Sequence, residues 1–177
     1  MFFSRKAASP NGPLPAHFLP RNSRLHDVLF NLPDNWQVRE NLQIGHVPGC
    51  TVLVSEVGIF VLYPQDVSGV ILHNPRSLIV SEQNLNPQLQ MAQQSGQMLS
   101  RMLKERVHTV MLFKQLVEPE ELKARALSPN VTREWEVENV KVVTWESLRA
   151  YILTYTRKLY TPEEVVALSR KIKDMSS

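Results

Sequence analysis

Up to residue 86 the chain alternates between short, dense apolar runs and polar breaks, and then its period changes. "LHDVLFNL" places Leu25, Val28, Leu29 and Leu32 at helical spacing and is stopped by Pro33, so it predicts a short helix. "WQVRENLQIG" alternates and predicts a strand. "CTVLVSE" and "GIFVLYP" are two apolar strands joined through Ser55, Glu56, Val57 and Gly58, a connection short enough for a hairpin. After Gly69, "VILHN" and "SLIVSEQN" predict two more short strands paired in a meander.

From Pro87 to Arg106 the spacing becomes helical. Leu89, Ala92, Gly96, Leu99 and Leu103 fall along one face, Gln90, Gln94, Gln97 and Arg101 fall on others, and Pro87 sits in the first turn, where its missing N–H costs nothing. "VHTVMLF" is a near-continuous apolar run, the pattern of a strand covered on both faces. Between Pro119 and Trp135 no period stands out. "VKVV" predicts a strand, Thr144 the N-cap of a helix burying Leu148, Ile152 and Tyr155. "TPEE" opens a last helix, with Thr161 and Glu164 as a capping box and Pro162 at the first helical position. No internal repeat is visible.

These elements divide the chain into three zones: an arm over residues 1–24, an α/β domain over 25–155 and a C-terminal helix over 156–177. The arm holds Pro10, Pro13, Pro15 and Pro20 with Arg5, Lys6, Arg21 and Arg24 and no acidic residue, so it is expected to be extended and basic. At 177 residues the chain suits one core. No run approaches the ~20 apolar residues of a membrane span, and the first residues lack the apolar core of a signal peptide. Together with the single cysteine, Cys50, which has no disulfide partner and no zinc-ligand spacing, this predicts a cytoplasmic protein without membrane contact. The net charge of +3 permits phosphate contact without demanding it.

The order helix, antiparallel strands, long helix, buried strand, late strand and helix is similar to that of the nuclease-related domain (NERD) family, a branch of the PD-(D/E)XK nuclease-like fold. Four pieces carry the resemblance in order: "VLVSEVGIFVLYPQDVSGVI", "NPQLQMAQQSGQMLSRML", "VHTVMLF" and "VKVVTWESLRAYI". The resemblance implies an α/β fold with a central mixed sheet flanked by helices. The family's upstream helix bears a glutamate, a place that Asp27 or His26 occupies only loosely here.

Members of the family taken to be active carry an aspartate at the start of the first hairpin strand and a Glu-x-Lys at the end of the second. Setting Gly58 and Gly69 on the family's glycines puts Thr51, Tyr63 and Gln65 at those positions. Two carboxylates would hold Mg²⁺ and the lysine would stabilise charge on the phosphate; threonine, tyrosine and glutamine do neither. The expectation is a degenerate site with no metal and no cofactor. Glu56 and Asp66 flank the two strands, with Glu40, His46 and His73 nearby, but a relocated metal site built on them requires a shifted register. No His or Cys spacing matches a transition-metal site, no serine has a nucleophile-elbow context and no glycine cluster forms a phosphate loop.

What remains is a surface. The resemblance places Gln90 where related domains keep a helix glutamine beside the cleft, within reach of a backbone phosphate or of the threonine. Arg101, Lys104 and Arg106 make a basic end to the long helix, which with the arm and with Arg170, Lys171 and Lys173 predicts a stripe that tracks the backbone of DNA or RNA. The function expected first is therefore noncatalytic nucleic-acid binding, or recruitment in a DNA-handling or defence assembly. An adaptor that docks a protein partner through Val165, Leu168 and Ile172 of the 161–175 helix is the second expectation, and an active nuclease with relocated ligands the third.

Overall fold

The structure is a computed structural model that describes residues 2–3, 29, 32–33, 35–124 and 134–175. Arg5, Lys6, Arg21, Arg24, His26 and Asp27, and with them most of the arm and of the first predicted helix, lie outside the described residues.

A hairpin and a crossover build the centre. The strands β1 (Phe2–Phe3), β2 (Gln37–Ile44), β3 (Val47–Ser55) and β4 (Gly58–Gln65) pair antiparallel in turn. The chain then leaves for a second, four-stranded sheet: β5 (Gly69–Asn74), β6 (Ser77–Val80) and β7 (Gln83–Asn84), with β9 (Leu116–Val117) parallel to β5. Helix α1 (Asn86–Leu103) carries it back to β8 (Val107–Phe113), which lies parallel to β4. After the short helix α2 (Pro119–Ala124), β10 (Glu134–Val137) and β11 (Val140–Thr144) form a hairpin, with β11 parallel to β8. Helices α3 (Trp145–Ile152) and α4 (Pro162–Met175) close the fold. The order β1-β2-β3-β4-β8-β11-β10 makes one mixed seven-stranded sheet among the described residues. The meander expected after Gly69 does pair, Ile71 with Val80, but in the second sheet rather than as a continuation of the first.

Both faces of the large sheet are covered, which is why β3, β4 and β8 read as apolar runs. Val52, Val54, Ile59, Val61 and Met111 meet α1 and α4 on one face, whereas Leu53, Phe60, Leu62, Val110 and Val143 meet Leu29, Leu32 and α3 on the other. The helical stripe on α1 is buried as its spacing predicts, at Leu89, Ala92, Gly96, Leu99 and Leu103. Gly96 permits the closest approach: a Cβ there would come within 2.2 Å of Thr109 Oγ1 on β8. Lys104 ends α1 in the left-handed conformation, its N–H donating to Ser100 O.

Two expected caps differ. Thr161 N donates to Glu164 Oε1 (3.1 Å) and Glu164 N to Thr161 Oγ1 (3.2 Å), the two reciprocal bonds of a capping box. Thr144 stands at the N-cap of α3 with extended backbone but makes no side-chain cap bond, because its hydroxyl is buried where β11 runs straight into the helix.

The apolar face of α4 is also internal. Val165 and Ile172 are buried and Leu168 is packed against the same core. The docking stripe expected on this helix is thus covered by the chain's own sheet, since α4 packs beside α1 over β2 and β3.

Candidate functional site

Strand alternation decides which of the family-matched positions meet. Thr51 pairs with Leu62 and so shares the α3-side face with Leu53 and Leu62. Tyr63, one residue on, belongs to the α1-side face together with Cys50. The structure therefore brings Tyr63 and Gln65 to one cleft, with Cys50 buried on the same face, and leaves Thr51 on the other side of the sheet, 4% exposed. Motif spacing alone misses this, because it counts residues between glycines and not the cross-strand register, and a one-residue offset reverses the face.

The cleft, about 100 Å³, opens at the carboxyl end of β4 between Val47, Gln65, Gln88 and Met91. Its floor is closed by a hydrogen bond between the Tyr63 and Ser95 hydroxyls, Ser95 lying on the buried face of α1. Gln65 turns back, Nε2 donating to Tyr63 O at 3.3 Å. Burial raises the Tyr63 phenol well above its ordinary value, opposed by the Ser95 bond, and pushes the Cys50 thiol up to about 11. A neutral phenol, a protonated thiol and an amide are no site for Mg²⁺, which takes hard, charged oxygen ligands.

Gln90 does not reach this cleft. It is exposed on the outer side of α1, and Thr51 lies beyond the sheet, so the hydrogen bond expected between them has no geometry here. Gln90, Gln94, Gln97 and Arg101 instead form one exposed stripe at i, i+4, i+7 and i+11, continued by Lys104 at the helix end. Arg170 and Lys171 are exposed on α4, and because α1 and α4 cover the same face of the sheet their outer sides form one surface.

Arg106 parts from that stripe. It lines a polar pocket of about 270 Å³ at the amino-terminal end of β8, with His108, Glu136, Asn139, Lys141, Tyr151 and Tyr155. The β10–β11 turn contributes one wall: Glu138 and Asn139 both have positive φ (52° and 65°), as a two-residue hairpin turn requires. His108 lies against Phe60 (4.9 Å between ring centres) and Tyr155 (4.5 Å), and the Tyr151 and Tyr155 hydroxyls are 3.3 Å apart. Burial, then Arg106 and Lys141, push the His108 imidazole down to about 4, so it is neutral at pH 7. Lys141 is held by Glu134 (3.2 Å) and Glu136 (3.5 Å). The signal for this pocket in the sequence was the pair Glu138-Asn139 between two short strand-like runs.

The remaining acids and histidines do not converge. Glu56 sits in the β3–β4 turn, at the far end from Gln65, accepting from Asn35 Nδ2 at 3.1 Å. Asp66 is exposed beyond Gln65, and His73 faces Glu118 at 3.6 Å. Among the described residues no group of three or more His, Cys, Asp or Glu is placed to hold a metal ion. No protein-family model, curated protein or solved structure matches this chain.

Proposed function

We propose that the chain is a nuclease-like α/β domain of the NERD type that has lost phosphodiester cleavage and binds nucleic acid through phosphate contacts. Support for the scaffold comes from the order of its parts: an antiparallel hairpin, a helical crossover and two parallel strands, with a helix after the last. The loss of chemistry rests on one observation, the Tyr63 to Ser95 hydrogen bond that fills the place where metal and water would act. Cys50, the residue that shares the face, brings a protonated thiol in place of a carboxylate.

Binding is supported by the surface of α1 and α4. Glutamine amides donate to phosphate oxygens without sequence preference, and Arg101, Lys104, Arg170 and Lys171 add charge on the same side. The adaptor reading loses its motive once Val165 and Ile172 are internal.

Fluorescence anisotropy on labelled duplex DNA across a salt series tests the reading. A dissociation constant of about 10⁻⁴ to 10⁻⁶ M near physiological salt is expected, as for binders that rely on phosphate contacts. Arg101→Gln with Lys104→Gln should flatten the slope of log K against log salt by about 0.9 per contact removed. Absence of binding at ~50 mM salt, where screening is weak, would remove the nucleic-acid reading. Cleavage with Mg²⁺ or Mn²⁺ that tracks the purified protein would remove the claim of lost chemistry.

A further inference from the structure

We infer that the polar pocket around Arg106, His108 and Asn139 is a binding site for a phosphomonoester, a site distinct from the outer stripe and independent of the nucleic-acid reading. The cavity holds donors that lack acceptors within the protein. The Arg106 guanidinium makes no ion pair or hydrogen bond among the described residues, and neither does the Asn139 amide nor either ring nitrogen of His108. All three groups line one cavity, about 270 Å³, close to the lower end of the volumes that hold small molecules.

The chemistry of these donors selects the ligand. Arginine offers a planar fork of N–H groups that matches the oxygens of a phosphate, and charge-assisted bonds of that kind are the strong ones. A neutral imidazole and an amide add donors that carry no charge and therefore do not repel Arg106. Of the nearby carboxylates, Glu136 lines the cavity and pairs with Lys141 at 3.5 Å, and Glu134 holds the same ammonium at 3.2 Å. Among the lining residues two cations, Arg106 and Lys141, stand against one carboxylate, Glu136, and Arg106 is the cation with no carboxylate partner among the described residues. Burial first, and then Arg106 and Lys141, lower the His108 imidazole. The half-buried Tyr155 ring gives the ligand a planar wall, so an organic group attached to the phosphate has a surface to lie on.

Titration of the ¹⁵N-labelled full chain with inorganic phosphate, at ionic strength matched with chloride, tests this. Amide shifts are expected to centre on Val107, His108 and the Glu138–Lys141 turn, and the His108 titration midpoint should move upward, because an anion beside the ring favours its protonated form. Arg106→Gln should weaken the response about tenfold or more, as for loss of a charged hydrogen bond. Asn139→Gly, which keeps the left-handed turn, should weaken it less while leaving the fold intact. Shifts that centre elsewhere, or that persist at equal affinity in Arg106→Gln, would overturn the proposal. A 5′-phosphorylated single strand compared with its 5′-hydroxyl counterpart and with a nucleoside monophosphate then identifies the source: preference for the phosphorylated strand marks a strand end, and equal affinity for the mononucleotide marks a free metabolite. Because Arg101 and Lys104 are not in this pocket, phosphate binding that survives their substitution separates this site from the duplex-binding surface.

Discussion

The Tyr63 phenol on β4 and the Ser95 hydroxyl on α1 are hydrogen-bonded across the layer between sheet and helix, both side chains being buried. Ser95 also donates to Ala92 O at 3.4 Å, so the pair belongs to a short chain of hydrogen bonds that anchors the helix above the cleft. Ser95→Ala should leave the phenol without its partner and destabilise the protein by about 1–3 kcal/mol, the cost of an unsatisfied buried group. Tyr63→Phe with Ser95→Ala should cost less than Ser95→Ala alone, since no polar group is then stranded. Urea unfolding of the three variants checks the order; a double variant less stable than both singles would deny the coupling.

The parts of the fold that were legible are those written in local pattern. Leu89 to Leu103 follow the helical period, and the runs at Val52–Val54 and Ile59–Leu62 have no polar interruption, so hairpin and helix emerge from the sequence directly. The site was less so, because its geometry is nonlocal. Whether Cys50 or Thr51 faces Tyr63 depends on the β3–β4 register, and no residue type in "GCTVL" announces it. The polar pocket draws on Arg106, Asn139 and Tyr155, which only the parallel pairing of β8 with β11 brings together. Pro119 to Ala124 became a helix that no apolar period announces, although its residues are good helix formers behind a first-position proline, with Leu122 N donating to Glu118 O at 3.1 Å.

Gly96 and Thr109 make a second coupled pair. Gly96→Ala gains helix propensity, up to about 1 kcal/mol, but places a methyl 2.2 Å from Thr109 Oγ1. Overpacking of this kind costs about 1–3 kcal/mol, so a net loss of stability is expected. Thr109→Ala removes the clashing atoms, and the double variant should recover the loss. A thermal or urea midpoint for the double variant no higher than for Gly96→Ala would show that the approach of α1 to β8 is not the constraint.

The capping box of α4 should be measurable by itself. Thr161→Ala removes one of its two bonds and should cost about 1 kcal/mol, whereas Thr161→Ser keeps the acceptor and should cost less. Because Val165 and Ile172 bury α4 against the sheet, the loss should appear in global unfolding and not as local fraying. Amide exchange in α4 that accelerates without any shift in the global midpoint would contradict that coupling.

Stability should fall on both sides of neutrality, for opposite reasons. On the alkaline side, burial raises Cys50 to about 11 and raises Tyr63, Tyr151 and Tyr160, so the folded state disfavours thiolate and phenolate. The unfolded chain releases these protons first, from its ordinary values of 9.0 for cysteine and 10.0 for tyrosine, and the stabilisation present below them is lost as pH rises toward the folded values. On the acid side the sign reverses. Burial, aided by Arg106 and Lys141, lowers His108 from 6.5 to about 4, so the unfolded chain takes up the proton first as pH falls. The contribution is complete above 6.5 and disappears as pH drops through about 4. His108→Gln removes the titrating group while keeping a neutral polar side chain, and should flatten the dependence of the urea midpoint between those two values. Carboxylates begin to protonate in the lower part of that window, but they do so in both proteins, so the difference between the two slopes reports His108. An unchanged slope between pH 6.5 and 4.5 in the variant would show that His108 is not held neutral by the fold.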